Sequence, residues 1–438
     1  MKKTLLAAAL LAGFAGAASA QSSVTLYGII DIGIAYQGIT GNDTFNSTRF
    51  GMNNGIQNGS RFGLRGTEDM GGGNRATFVL ENGFDAGNGS LAQGGRLFGR
   101  QAWVGIENDA WGYIRAGRQY NFASDYMTPI DPFLAGFGQA NMGVSFGAMN
   151  TTRYSNMLKY QTPTMSGFKA GVGYSFAPQL DAFYVNNNNT VINGNGNSYN
   201  FATTNNTRAL TLGASYANGP LTLAASYDQI MPNDSATAAQ SSTPKEWILA
   251  GMYDFNVVKL SVAYGQTRGG VINGQSFLSG GTNSTVNGGT FGGSAGGVLF
   301  ADGAGFNSYL VGLTAPIGSN SKVFGSWTMT APNGNIQDLY SVNNSLGNGA
   351  ANQNTYSIGY QYDFTKRTNM YAAVSYANSA GFISGVNSTL VLTGVRHQFS
   401  ATCLVLRLTS VSLQNGSPFG VARFVLTVMN MRAAFKRA

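Results

Sequence analysis

Nucleophilic, acid–base and metal chemistry each need particular side chains held close together, and this 438-residue chain is poor in them. A serine nucleophile needs an imidazole to take its proton. The one histidine, His397, sits near the end of an alternating segment. A zinc site needs about four N, S or O ligands, and one His with one Cys makes no usual set. Cys403 alone forms no intramolecular disulfide. Carboxylate pairs occur at Glu68-Asp69 and at Glu107 and Asp109. Both fall in short turns, where acids serve solvation. Gly71-Gly72-Gly73 precedes no helical pattern, so it is a turn and not a phosphate cradle. The sequence argues against an enzyme, and no metal or cofactor is expected. The chemistry left is that of fixed charge, which depends on the elements that carry it.

Composition constrains those elements. Charged residues make up 10%, against about 25% in typical globular chains. There are 61 glycines, 21 tyrosines and 27 phenylalanines. The N-terminus reads as a cleaved signal peptide, 1–20: Met1-Lys2-Lys3, an apolar run over 4–17, then Ala18-Ser19-Ala20. The mature chain is expected to begin at Gln21. Beyond the leader no run of 18 apolar residues occurs, so no membrane-spanning helix is predicted. Lys2 and Lys3, with the five basic residues of 400–438, account for all but +1 of the net charge of +8. The body is nearly neutral, without the clustered basic face that nucleic acid requires. A chain too uncharged for a soluble surface and without spanning helices fits a closed β-barrel in an outer membrane.

Alternation with period two runs through the chain. Phe168, Ala170, Val172, Tyr174 and Phe176 share one face, and Lys169, Gly171, Gly173 and Ser175 the other. Tyr356, Ile358, Tyr360, Tyr362 and Phe364 repeat the pattern, as do Leu221, Leu223, Ala225 and Tyr227. In a sandwich the apolar face would be core, and in a barrel it faces lipid. One strand does not separate these, but aromatics at many strand ends suggest interfacial girdles. Short turns at 68–72, 107–112, 162–167, 217–220, 254–257, 316–321 and 363–368 alternate with longer segments. The latter cover 37–58, 85–96, 121–151, 178–206, 230–244, 269–304, 331–351 and 379–388. Seven turns and eight loops link about 16 strands in one all-β, antiparallel transmembrane domain, 21–399.

Specific motifs sharpen this. Ser22-Ser23-Val24-Thr25-Leu26-Tyr27-Gly28-Ile29-Ile30-Asp31 resembles the first strand of Gram-negative general porins of the beta-proteobacterial type. The stretches 60–69, 99–105 and 117–120 resemble the same family in order, and Gly394-Val395-Arg396-His397-Gln398-Phe399 looks like its terminal strand. The resemblance implies a 16-stranded homotrimer in the outer membrane, in contact with lipid and lipopolysaccharide. It also implies a third loop folded into the lumen and passive diffusion of ions and small hydrophilic solutes. A substrate-specific channel or an adhesin is the other class. The inward positions, mostly Gly, Ser, Thr and Ala, and the solvated loops 178–206 and 269–304 disfavour both.

The constriction loop is read as 121–151, where Phe133, Leu134, Phe137, Met142 and Phe146 suit a segment packed on a wall. Strand phase turns Arg61, Arg65, Arg75, Arg115, Arg153 and Lys159 inward, since a charge facing lipid costs about 2–4 kcal/mol near the midplane. By resemblance the family's basic cluster maps onto Arg61, Arg100 and Arg153. Arg100 shares phase with Phe98 and not with Trp103, so a bulge or a strand end must intervene. Asp125 and Asp131, on the inserted loop, are expected to face this ladder. Basic groups outnumber the two loop acids, which gives a weak anion lean. Residues 400–438 depart from the family, whose members end at the position of Phe399. The segment holds Cys403 and no acid, and reads as readthrough or a frameshift, with a genuine periplasmic tail as the alternative.

Overall fold

The computed structural model describes residues 23–41, 46–179, 181–185, 191–194, 206–233, 242–272, 285–286, 289–290, 297–334 and 350–404. The leader 1–20 and the chain beyond Leu404 lie outside the described residues. No helix among the described residues is long and apolar enough to cross a membrane.

Sixteen strands form the wall: β1 Ser23–Thr40, β2 Arg61–Gly71, β3 Asn74–Gly83, β4 Gln101–Asn108, β5 Gly112–Tyr120, β6 Arg153–Gln161, β7 Phe168–Ser175 and β8 Arg208–Asn218. The second half comprises β9 Leu221–Met231, β10 Lys245–Asp254, β11 Lys259–Val271, β12 Gly297–Ile317, β13 Ser321–Gly334, β14 Gln353–Asp363, β15 Thr368–Asn378 and β16 Asn387–Leu404. Each pairs antiparallel with the next, and β1 pairs with β16 from Ser23↔Leu404 to Thr40↔Asn387, closing the ring. Closure leaves no edge for lipid to meet. Each expected short turn and long loop meets the corresponding strand junction, with strands running past the expected bounds at places such as 68–71, 37–40 and 297–304.

The alternation resolves as a barrel, not a sandwich. Outward positions are apolar and exposed, as at Val104, 61%, and Leu249, 54%. Inward positions are mostly small or polar, with larger side chains such as Ile248, Phe324 and Tyr371 where inserted chain covers them. The sequence reading missed short strands inside its long segments: Asp181–Val185 and Val191–Gly194 in 178–206, Thr285–Val286 and Gly289–Thr290 in 269–304, and, against the wall itself, Ser47–Asn54 in 37–58. The last pairs with the upper half of β1, while β2 takes the lower half. Between them, 55–60 turns into the lumen and is held by Asp31. That carboxylate accepts from Gln57 N at 3.0 Å, Asn58 N at 2.6 Å and Tyr371 Oη at 2.5 Å.

The loop 121–151 also folds inward. It opens with a helix, α1 Phe122–Met127, whose cap Asn121 accepts from Ser124 N at 3.0 Å. The Phe122 ring lies where side chains at Gly171 and Gly213 would be, so the glycines of β7 and β8 make room for it. Asn121 Nδ2 donates to Asp228 Oδ1 at 2.8 Å, and Glu246 Oε2 accepts from Ala148 N at 2.8 Å, tying both ends of the loop to β9 and β10. The tip crosses to the far wall. There Phe133 and Phe137 pack edge-on to Phe324, at 5.0 and 5.4 Å, and Phe137 to Tyr371 at 5.2 Å. Phe133 is fully buried. Phe133→Ala should remove about 3–5 kcal/mol of loop seating. Limited proteolysis checks this. Faster cleavage within 121–151 of an intact barrel is expected, and a wild-type rate would show that the ring cluster does not hold the loop.

Candidate constriction site

Three of the expected basic residues converge around one phenol. Tyr120, at the end of β5, accepts from Arg100 Nη2 at 2.6 Å and from Arg153 Nη2 at 2.7 Å, and the Arg153 guanidinium lies 4.4 Å from its ring centre. Arg61 opens β2, with its Nε on Gly59 O at 2.8 Å, and its charge is within electrostatic reach of Arg100 and Arg153. Arg100 precedes β4, so a strand end does intervene. Its backbone N–H bonds Glu81 O at 3.2 Å, and its side chain turns inward to Glu81 Oε1 at 2.8 Å. Both side chains of that ion pair are almost fully buried.

Glu81, Tyr120 and Arg118 are members that the sequence reading missed. Glu81 was legible, because it shares the inward phase of Arg75 and is the cross-strand partner of Gln101. Tyr120 was not, because a bulge between Gly117 and Gln119 shifts the phase of β5. Arg118 donates to Gly99 O at 2.7 Å and Ser155 Oγ at 2.9 Å, beside Arg153.

The other expected residues lie elsewhere. Arg75 and Arg115 lie nearer the short-turn end of the barrel than the Tyr120 cluster does. Arg75 pairs with Glu107 at 3.2 Å and Asp109 at 2.7 Å. Arg115 lies 3.6 Å from Glu107 and over the rings of Trp103 and Tyr113, at 4.2 and 3.8 Å. The turn acids compensate these charges. Arg65, also inward and exposed, is four residues below Arg61, about 13 Å along the strand.

Neither loop acid faces the arginines. Asp125 pairs with Lys159 at 2.5 Å, and Lys159 Nζ also donates to Tyr120 O at 2.8 Å. That contact pins α1 to the wall. Asp131 is buried in the loop, accepting from Phe133 N at 3.0 Å, Ala135 N at 2.9 Å and Met142 N at 3.1 Å. It organises a tip in which Leu134, Ala135 and Phe137 take left-handed backbone angles, each a cost of about 1–3 kcal/mol. The net result is a basic cluster opposed mainly by the one carboxylate inside it.

Burial pushes the Asp131 carboxyl up to about 6, against the pull of its three N–H donors. A folded value above that of the unfolded chain means that its contribution is complete at low pH and lost as pH rises through about 6. The protection factors of amides at 133–142, which are the intrinsic rate at each pH divided by the observed exchange rate, should therefore fall between pH 4 and 7, and Asp131→Asn should flatten that slope. An unchanged slope in the variant would assign the dependence to another group.

Similar proteins show the family and the fold. The Gram-negative porin family pattern matches residues 7–381. An outer membrane porin protein of Bordetella pertussis is 51% identical over 411 residues, covering 91% of this chain and all of the relative. Outer membrane porin protein 32 of Delftia acidovorans is 29% identical, with the same coverage. Among solved structures, an anion-selective porin from Comamonas acidovorans superposes with a TM-score of 0.62 at 25% identity, over 86% of this chain and all of that one. With a closed 16-stranded barrel, a loop folded into its lumen and these relatives, the chain belongs to the Gram-negative porins and is a channel-forming protein of the outer membrane.

Proposed function

We propose that this porin passes ions and small hydrophilic solutes by diffusion, without catalysis and with a weak preference for anions. The observation that carries the preference is the charge balance around Tyr120. Arg61, Arg100 and Arg153 meet there, Arg118 stands beside them, and Glu81 is the one carboxylate among them. Asp125 is ion-paired with Lys159, and Asp131 is turned into the loop, so neither pairs with an arginine of the cluster. Fixed positive charge at a narrow point lowers the barrier for anions and raises it for cations. The anion selectivity of the Comamonas acidovorans relative accords with this reading.

The same reading takes 21–399 as the barrel unit and 400–438 as appended chain. Ser400–Leu404 prolong β16 against Ser23–Tyr27, which β2 already pairs on the other side. It also takes the protein as a homotrimer whose outer belt meets lipid and lipopolysaccharide.

Arg61→Gln combined with Arg153→Gln should leave conductance of the same order and bring the zero-current potential in a potassium chloride gradient to zero or to the cation sign. An anion-leaning potential unchanged in the double variant would remove the cluster as the selectivity filter.

A further inference from the structure

The lipid-facing surface of β10, β11 and β12 is graded along the barrel axis. Its outermost outward rung is Lys245↔Arg268↔Gly305, at the ends joined by the long loops. The next is Trp247↔Gln266↔Asn307, then Leu249↔Tyr264↔Tyr309, then Gly251↔Val262↔Val311. Charge thus gives way to amide, aromatic and aliphatic groups in steps of two residues, about 7 Å each. The rings interlock, Trp247 edge-on to Tyr264 at 5.3 Å and Tyr264 beside Tyr309 at 5.1 Å. Gln266 Nε2 donates to Tyr264 Oη and Asn307 Oδ1, both at 2.9 Å.

The top rung is unusual. Two cations occupy directly paired positions on adjacent strands, an arrangement that is repulsive by itself. Among the described residues neither has a carboxylate partner. Arg268 lies across Gly305, where an added Cβ would come within 2.7 Å of its Nη1, and that nitrogen donates to Thr267 O at 3.1 Å and Phe306 O at 3.4 Å. The guanidinium is therefore held in place beside an exposed lysine. Arg208, outward on β8, extends the basic rim, donating to Pro232 O at 3.2 Å.

We infer that Lys245 and Arg268 bind a phosphate of an outer-leaflet glycolipid, whose sugars meet the amide rung and whose acyl chains run down the aromatic and aliphatic rungs. A phosphate neutralises the paired cations and matches the planar donors of arginine. The aromatic layer sits where interfacial rings meet the start of the hydrocarbon. Strands β10–β12 lie away from the β1–β16 seam and present this face to lipid. The inference rests on the porin reading for its orientation in the membrane.

Purified full-length porin in mild detergent would be titrated with bisphosphorylated lipid A, with its dephosphorylated form and with phosphatidylethanolamine, counting bound lipid by native mass spectrometry. Wild type should prefer the bisphosphorylated form by about tenfold, and Lys245→Gln with Arg268→Gln should abolish that preference. Lys245→Glu, which gives Arg268 a carboxylate on its own rung, should fold normally and lose it too. Conductance of the same preparations should not change, since both residues face outward. No phosphate preference in wild type, or an equal one in all three proteins, would overturn the inference. Loss of conductance in wild type would strike the porin reading instead, leaving the lipid result to stand by itself.

Discussion

In hydrocarbon there is no water to satisfy a backbone amide, so each N–H and C=O of a spanning segment must pair within the protein. That constraint is met here by the long ladder between β1 and β16. Once the ring closes, the pleat fixes the rest. Every second side chain points outward and is apolar over the middle of the wall, giving way to polar groups at its rim, and its neighbours point to the lumen and are free to be small, polar or charged. The lumen of a ring this size is too wide for wall side chains to fill, so its narrowing must come from chain folded inward.

Two segments do this, and both are held by groups the wall provides. Asp31 captures the backbone of 55–60, and Asp228 and Glu246 capture the two ends of the 121–151 loop. The apolar tip then reaches the opposite wall at Phe324 and Tyr371. Charge follows from this placement. The acids near the loop are consumed in holding it, while the arginines converge on Tyr120 with Glu81 alone among them.

The wall was legible in the sequence because its signal repeats sixteen times, with period-two faces and alternating turn lengths. The strand Ser47–Asn54 was not, because its Phe50 and Met52 lie within an Asn- and Gly-rich stretch that reads as loop. For the site, phase gives the face of a strand residue but not its depth. Arg75 and Arg115 do face inward, yet they lie nearer the turns, with Glu107 and Asp109, acids whose solvating role looked sufficient from the sequence. Asp131 has no phase at all. Its direction is set by left-handed residues at 134, 135 and 137, which no pattern of residue types announces. Arg100 was found through family resemblance, since its inward turn depends on a strand start that alternation does not reveal.

On the proposed reading, a basic constriction governs passage through an otherwise open barrel. Zero-current potential across single channels of the wild-type protein, in a tenfold potassium chloride gradient, tests it most directly. Stepwise open channels with a potential of the anion-selective sign are predicted. Cation-selective channels, or a folded barrel that conducts nothing, would contradict it.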